Sequence, residues 1–142
     1  MSHVDFSSLK KAITQLRHSI SLFSSEYGKN EDLHDTLRAG AIQGFEFTYE
    51  LCIKSIRRFL EFNAIDDTSQ EFTFAELIRM ANEYDLLKSD ISTWREYRKM
   101  RGTTSHSYNE KSATEIFNHI PNFLVDAEYL LAQFTKRSNG EL

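Results

Sequence analysis

Apolar residues recur at intervals of three and four along most of this chain, the spacing that places them on one face of an α-helix. In the first segment they are Leu9, Ile13, Leu16, Ile20 and Phe23. The sequence has one Pro and five Gly, which leaves little material for the turns of a sheet protein. The pattern therefore predicts an all-α fold, with helices over residues 7–27, 32–63, 73–84, 89–102 and 112–136.

Local signals mark the ends of these helices. Thr73 and Ser112 are each followed three residues later by Glu, the form of a capping box in which both side chains bond backbone N–H groups. Each is therefore predicted to open a helix. Gly28 and Gly102 are expected just past the last turns of the first and fourth helices, where Gly commonly ends a helix.

The second predicted helix is the longest, roughly 45 Å at the rise of an α-helix. Apolar residues cover much of its circumference, and such a helix usually contacts more than one partner. Gly40 and Gly44 lie one turn apart inside it and are small enough to let another backbone approach. We expect a central core helix that also contributes to a contact between two copies of the chain.

The length of 142 residues fits one domain over residues 1–142, with frayed ends at 1–5 and 138–142. Cys52, the single cysteine, falls in an apolar helical stretch and is expected to be a buried hydrophobe rather than a catalytic thiol. The first residues are polar, and no apolar run is long enough to span a bilayer. We therefore expect a cytoplasmic protein with no membrane partner.

Positive charge is concentrated in one segment of an otherwise acidic chain. The net charge is −4, which argues against a protein that coats nucleic acid indiscriminately. Residues 94–111, however, hold five cations against two anions, a local net charge of +3. A basic patch on an acidic body fits a bound phosphate group better than a long polyanion.

The same segment contains the residues best suited to chemistry. Arg95, Arg98 and Arg101 are spaced three apart, which brings them close together on one helical face. His106 follows among Ser and Thr hydroxyls, and histidine is the side chain best placed to move protons near neutral pH. Arginine, histidine and hydroxyls could together handle a phosphate. A solvated basic face followed by a surface loop would have the same composition.

Other chemistries lack their usual patterns. The chain has no glycine-rich phosphate loop, and its five histidines show no paired metal-ligand spacing.

Residues 101–108, RGTTSHSY, resemble the Arg-x4-His-x-Tyr signature of HEPN-domain proteins. Residues 43–51, QGFEFTYEL, followed by Lys54, resemble the long helix of one HEPN branch, the small prokaryotic nucleotidyltransferase substrate-binding (HepT-like) proteins. The resemblance extends over nearly the whole chain and includes Trp94. It implies an antiparallel up-and-down bundle of about five helices, with long second and last helices.

The resemblance also implies partners and site residues. The family is usually homodimeric and is encoded beside a separate minimal nucleotidyltransferase. By position, Arg101 and His106 are the implied catalytic pair, while Arg98, Arg101 and Tyr108 would bind the phosphate of a nucleotide or RNA. Tyr108 would be the acceptor of an AMP group from the partner. No cofactor and no metal are implied.

Two functions follow from the resemblance, and a third alternative is an interaction protein in which the motif is kept only for structure. The first is a regulatory subunit that partners the nucleotidyltransferase and binds nucleotide or RNA phosphate. The second is a metal-independent endoribonuclease, the toxin of a toxin–antitoxin pair, which would need two copies of His106 and Arg101 in one cleft. Gly102 departs from the family, which usually has a polar residue after the motif arginine, and this departure bears on nuclease activity.

Two carboxylates on the second helix allow alternative interpretations. Glu46 and Glu50 lie one turn apart, with Lys54 one turn further. They could form a solvated face in which Glu50 pairs with Lys54. Alternatively, one of them could orient Arg101 or His106.

Overall fold

A computed structural model describes residues 5–63, 72–106 and 109–138. Within these ranges the chain forms five α-helices and no strand. They are α1 (Ser7–Ser24), α2 (Glu31–Asn63), α3 (Phe74–Glu83), α4 (Ile91–His106) and α5 (Glu110–Ser138), with a 3₁₀ turn at Glu26–Lys29. The predicted all-α, up-and-down bundle with long second and last helices is confirmed.

Helix α2 is the centre of the bundle. It packs against α1 and α5 along its length and also contacts the shorter α3 and α4. Helix α5 in turn packs on α1 and α4, so that the buried faces of four helices meet on one side of α2. The prediction of a central core helix is therefore correct. Gly44 serves this packing, since a Cβ placed there would lie 3.3 Å from Leu16 Cδ1 on α1, while Gly40 faces open space.

Aromatic side chains fill the core where α2, α4 and α5 meet. Phe123 of α5 lies against Phe45, Tyr49, Trp94 and Tyr97, with ring centroids 4.9–6.4 Å apart. Cys52 is fully buried beside this cluster, as the sequence predicted. Burial of these rings fixes the position of α4 against α2, and with it the position of the arginines that α4 carries.

Of the two predicted capping boxes, one is confirmed and one is wrong. Thr73 Oγ1 accepts from the Glu76 backbone N–H at 3.2 Å, and Glu76 Oε1 accepts from the Thr73 N–H at 3.0 Å. Helix α5, in contrast, begins at Glu110, two residues before the expected start at Ser112. There Asn109 Oδ1 and Ser112 Oγ accept from each other's backbone N–H, both at 2.9 Å, so Asn109 takes the cap.

The two glycines expected to end helices behave differently. Helix α1 ends at Ser24, and the 3₁₀ turn follows. A Cβ on buried Gly28 would lie only 1.7 Å from the Phe23 carbonyl oxygen, so this close turn requires glycine. Gly102 does not end α4, which continues to His106. The hydroxyls of Thr103 and Thr104 accordingly bond carbonyls of the helix's own last turns, Lys99 O at 3.1 Å and Arg101 O at 2.7 Å.

In the described part of the chain, no helix is both long enough and apolar enough to cross a membrane.

Candidate functional site

Arg101 lies between α4 and α2, held by the two carboxylates that the sequence left ambiguous. Its Nε and Nη2 donate to Glu50 Oε1 at 3.0 and 2.6 Å. Its Nη1 lies 3.3 Å from Glu46 Oε2. Glu46 and Glu50 are one turn apart on α2, so their carboxylates reach one guanidinium from the same side. The contacts correspond to the interpretation in which these carboxylates orient Arg101.

The last turn of α4 is joined to the same cluster. Thr104 Oγ1 lies 2.9 Å from Glu46 Oε2 and 2.7 Å from the carbonyl oxygen of Arg101. Glu46 thus contacts two residues of α4. The hydrogen bond between Thr104 and Glu46 holds the last turn of α4 in place, which explains why the helix continues past Gly102. Sequence reasoning missed Thr104 because it assigned this residue to a loop of interchangeable hydroxyls.

The charge of Arg101 is more than compensated where it lies. One guanidinium faces two carboxylates, so the three side chains together carry −1. Arg101 nevertheless remains 28% exposed, and Glu50 is 57% exposed. The arrangement gives a guanidinium of fixed position that solvent can reach, but an anion bound there would need further cations nearby.

Arg98 supplies one such cation in a groove that Glu50 also lines. Its guanidinium carbon lies 4.8 Å from the centroid of the Phe74 ring on α3, within the range of a cation–π contact. The groove is open, has a volume of about 430 Å³ and is lined by Tyr49, Glu50, Lys54, Arg57, Phe74 and Arg98. We call this the basic groove. Burial raises the pKa of the Tyr49 hydroxyl to about 12, although Arg98 and Arg101 act in the opposite direction.

A second hollow, of about 470 Å³, shares Glu50 with the basic groove. We call it the α1–α2 hollow. It is lined by Glu46, Glu50 and Arg101 together with Gly40 and Phe47. Phe47 leaves 57% of its surface exposed beside this charged cluster. The Arg101 cluster therefore borders this hollow and, through Glu50, the basic groove.

Two of the predicted site residues cannot be placed in this geometry. His106 is the last residue of α4, and its side chain lies outside the described part of the structure. Tyr108 also lies outside the described residues. Of the predicted set, the structure brings together Arg101, Glu46 and Glu50 and places Arg98 in the neighbouring groove.

A buried polar cluster that the sequence did not reveal lies between α4 and α5. Asp126 is 4% exposed and accepts hydrogen bonds from the hydroxyls of Tyr97 and of Ser89, the latter at 2.7 Å. The three residues are too far apart in sequence for any local spacing to link them. Burial, followed by the bond to Asp126, raises the pKa of Tyr97. Among the side chains that the structure describes, no group of three or more His, Cys, Asp or Glu could hold a metal ion.

Comparison with known proteins gives consistent matches. The profile of the family described as "Nucleotidyltransferase substrate binding protein like" matches residues 4–136. A probable ribonuclease HepT of Haemophilus influenzae is 40% identical over 107 residues, which are 75% of this chain and 73% of that protein. A solved Haemophilus influenzae structure, reported as the fold of a substrate binding domain of a nucleotidyltransferase, superposes with a TM-score of 0.85. It shares 34% identity and covers 92% of this chain and 99% of that one.

The family profile spans all five helices and includes the Arg101 cluster, and the resemblance seen in residues 43–51 and 101–108 is confirmed. The chain belongs to the family of nucleotidyltransferase substrate-binding proteins.

Proposed function

We propose that this protein is the substrate-binding subunit of a separate small nucleotidyltransferase and binds a nucleotide or RNA phosphate at the Arg101 cluster. The observation that carries the proposal is the guanidinium of Arg101, held by Glu46 and Glu50 and still open to solvent. Fixing an arginine in advance reduces the ordering cost of phosphate binding. The family, and the relative described as a substrate binding domain of a nucleotidyltransferase, support the partnership.

The proposal includes Tyr108 as the acceptor of an AMP group. The phenol oxygen would attack the α-phosphorus of ATP bound to the partner, and the bond to the β-phosphate would break. Pyrophosphate would leave, and the phenolic proton would pass to a base. Tyr108 lies two residues beyond His106, and Arg98 and Arg101 would neutralise the added phosphate.

The test is to mix the protein with the nucleotidyltransferase encoded beside it and with ATP, and then to measure intact mass. We expect co-purification of the two chains and a mass increase of one or more AMP units that disappears in Tyr108→Phe. Tyr27→Phe is the control, because Tyr27 is a 61% exposed tyrosine outside the site. Failure of an active partner to bind would refute the partnership, and an adduct that persists in Tyr108→Phe would refute this acceptor.

A second candidate function is cleavage of RNA without a metal. Its specific support is the relative named a probable ribonuclease, together with Arg101 and His106 in this chain. Such cleavage needs a base for the 2′-hydroxyl, an acid for the leaving oxygen and cations for the phosphorane. One chain offers one motif histidine. A twofold dimer would place two copies of His106 and Arg101 in one cleft.

The α1–α2 hollow is the face we propose for this dimer. Its exposed Phe47 is next to Glu46 on α2, so a partner copy that covers the ring would also enclose the Arg101 cluster. We expect a dimer at micromolar concentration by sedimentation, and a monomer for Phe47→Glu. Phe62→Glu is the matched control, because Phe62 is 55% exposed on the same helix but about 22 Å further along it. A monomeric wild-type protein would contradict this arrangement.

For the nuclease candidate, we expect RNA cleavage that survives EDTA and is lost in both Arg101→Ala and His106→Ala. Arg95→Ala is the control, because Arg95 is an exposed arginine on α4 that does not line the basic groove or the α1–α2 hollow. Cleavage that needs a divalent cation, or that persists in either site variant, would refute this mechanism.

A further inference from the structure

We infer that a single strand of RNA lies along the basic groove, with its phosphates on Lys54, Arg57 and Arg98 and one base stacked on the Arg98 guanidinium. The inference rests on the proposed function, because the groove extends from the Arg101 cluster. It assigns a role to Lys54, Arg57 and Phe74, which the Arg-x4-His-x-Tyr motif does not include.

The first argument is charge. Arg101 is compensated by two carboxylates, so it cannot hold a polyanion alone. Within the described residues, neither Lys54 nor Arg98 forms an ion pair with a carboxylate, and both are exposed. Among the described residues that line the groove, Glu50 is the only acidic one, and it already pairs with Arg101. The groove therefore supplies the positive field that the Arg101 cluster lacks.

The second argument is continuity and length. Glu50, Lys54 and Arg57 follow one another at spacings of four and three along one face of α2. Their span is about 10 Å at the rise of an α-helix. A groove of this length accommodates only a few nucleotides of a single strand. Glu50 also belongs to the Arg101 cluster, so a strand in the groove would run directly to Arg101.

The third argument is the aromatic support beneath Arg98. Sites for single-stranded nucleic acid combine a basic groove with flat surfaces on which bases stack, and guanidinium planes serve as well as aromatic rings. Phe74 holds the Arg98 guanidinium at 4.8 Å from its centroid, while Arg98 stays exposed. The double-stranded-RNA-binding domain, a common module for duplex RNA, spans about 16 base pairs, far more than this groove offers.

The test is binding of a short, labelled, single-stranded RNA with 2′-O-methyl sugars, measured by fluorescence anisotropy over a range of KCl concentrations. Such an RNA cannot be cleaved through its 2′ oxygens, so binding is measured alone. Each lost phosphate contact should reduce the slope of log affinity against log salt by about 0.7, which corresponds to about fivefold weaker binding near 0.1 M salt. We expect this loss in Lys54→Ala and in Arg98→Ala.

Two further variants separate the contribution of charge to RNA binding from that of base stacking, and from the loss of a positive charge outside the groove. Arg98→Lys should keep the salt slope but still bind several-fold more weakly, because a lysine offers no flat surface. Arg58→Ala is the matched control, since Arg58 is an exposed arginine next to Arg57 but outside the groove. Circular dichroism checks that each variant is folded. Arg57 also donates to the Phe72 carbonyl at 3.4 Å, so it is left unchanged.

The outcomes distinguish this inference from the proposed function. Wild-type binding that is weakened in the groove variants but not in Arg58→Ala supports the inference. Wild-type binding that the groove variants leave unchanged overturns it, although RNA binding at the Arg101 cluster would stand. Equally tight binding of a duplex overturns the assignment to a single strand. Absence of wild-type binding even at low salt refutes RNA as a ligand of the Arg101 cluster, and the inference with it.

Discussion

The guanidinium of Arg101 on α4 donates two hydrogen bonds to one oxygen of Glu50 on α2, from Nε at 3.0 Å and from Nη2 at 2.6 Å. The two residues are 51 positions apart in sequence. Their contact joins the helix of the Arg-x4-His-x-Tyr segment to the central helix of the bundle. It also means that Glu50 neutralises the positive charge of Arg101 within the protein before any ligand binds.

For the proposed RNA site and the candidate nuclease function, this contact predicts opposite effects of Glu50→Gln on binding and on cleavage. The variant removes one negative charge beside the site, so affinity for RNA should rise on the order of twofold, or about 0.5 kcal/mol for a nearby charge in water. It also weakens the hold on Arg101, so RNA cleavage should fall about tenfold. Binding and cleavage rates measured side by side test both effects.

Glu83→Gln is the control for this experiment, because it removes an equal charge from an exposed position at the end of α3. A Glu50→Gln protein that cleaves RNA at the wild-type rate would contradict a positioning role for Glu50. A drop in binding would contradict the charge argument.

A second prediction concerns the buried carboxylate of Asp126. Tyr97→Phe removes one of its two hydroxyl donors and should reduce the free energy of unfolding by about 1–3 kcal/mol, since a buried acceptor loses its partner. Adding Asp126→Leu to this variant should cost less than the sum of the two single changes. Urea unfolding measures all three values. Additive costs would show that the Tyr97 bond contributes little.

Much of the fold could be predicted because it depends on local pattern. The apolar residues at spacings of three and four predicted the five helices, and the pair Thr73 and Glu76 predicted the start of α3. The errors occurred at helix ends. The end of α4 depends on Thr104 reaching Glu46 on another helix, and the start of α5 on Asn109 outcompeting Ser112 for the cap.

The candidate site could be predicted only in part, for a related reason. The Arg101 segment is local and has a recognisable pattern. Whether Glu46 and Glu50 face solvent or Arg101 depends on how α2 and α4 pack, and the sequence left both alternatives open. The basic groove also combines residues of α2, α3 and α4, so no spacing in the sequence links Phe74 with Arg98.

A third prediction concerns Asp85, the non-glycine residue with positive φ, at 60°, in the described part of the chain. It follows α3, where Leu86 N bonds Ala81 O at 3.0 Å and Asp85 N bonds Asn82 O at 2.9 Å, the pattern of a Schellman motif. Glycine is the usual residue there because it adopts this conformation without strain. Asp85→Gly should therefore stabilise the protein by about 0.5–1 kcal/mol in urea unfolding. A loss of stability would mean that the Asp85 side chain makes a compensating contact.

The last prediction concerns stability at high pH and depends on Tyr49. This side chain is 7% exposed in the core, and burial raises its pKa to about 12. The ordinary tyrosine pKa, expected in the unfolded chain, is about 10. Below pH 10 both states keep the phenolic proton, so the contribution to stability is fully present. As the pH rises from 10 towards 12 the unfolded chain loses its proton first, and unfolding becomes easier.

The full loss from Tyr49 is about 2.7 kcal/mol once the pH exceeds about 12, from two pKa units at about 1.36 kcal/mol each. Because burial also raises the pKa of Tyr97, the wild-type protein should lose more than this. The contribution of Tyr49 is isolated by comparing wild type with Tyr49→Phe in urea unfolding at a series of pH values. The difference between their free energies of unfolding should be constant below pH 10 and should then shift in favour of the variant.

Tyr27→Phe, which removes an exposed hydroxyl, is the matched control. If the free energies of unfolding of wild type and Tyr49→Phe differ by a constant amount up to pH 12, Tyr49 ionises as easily in the folded protein as in the unfolded chain.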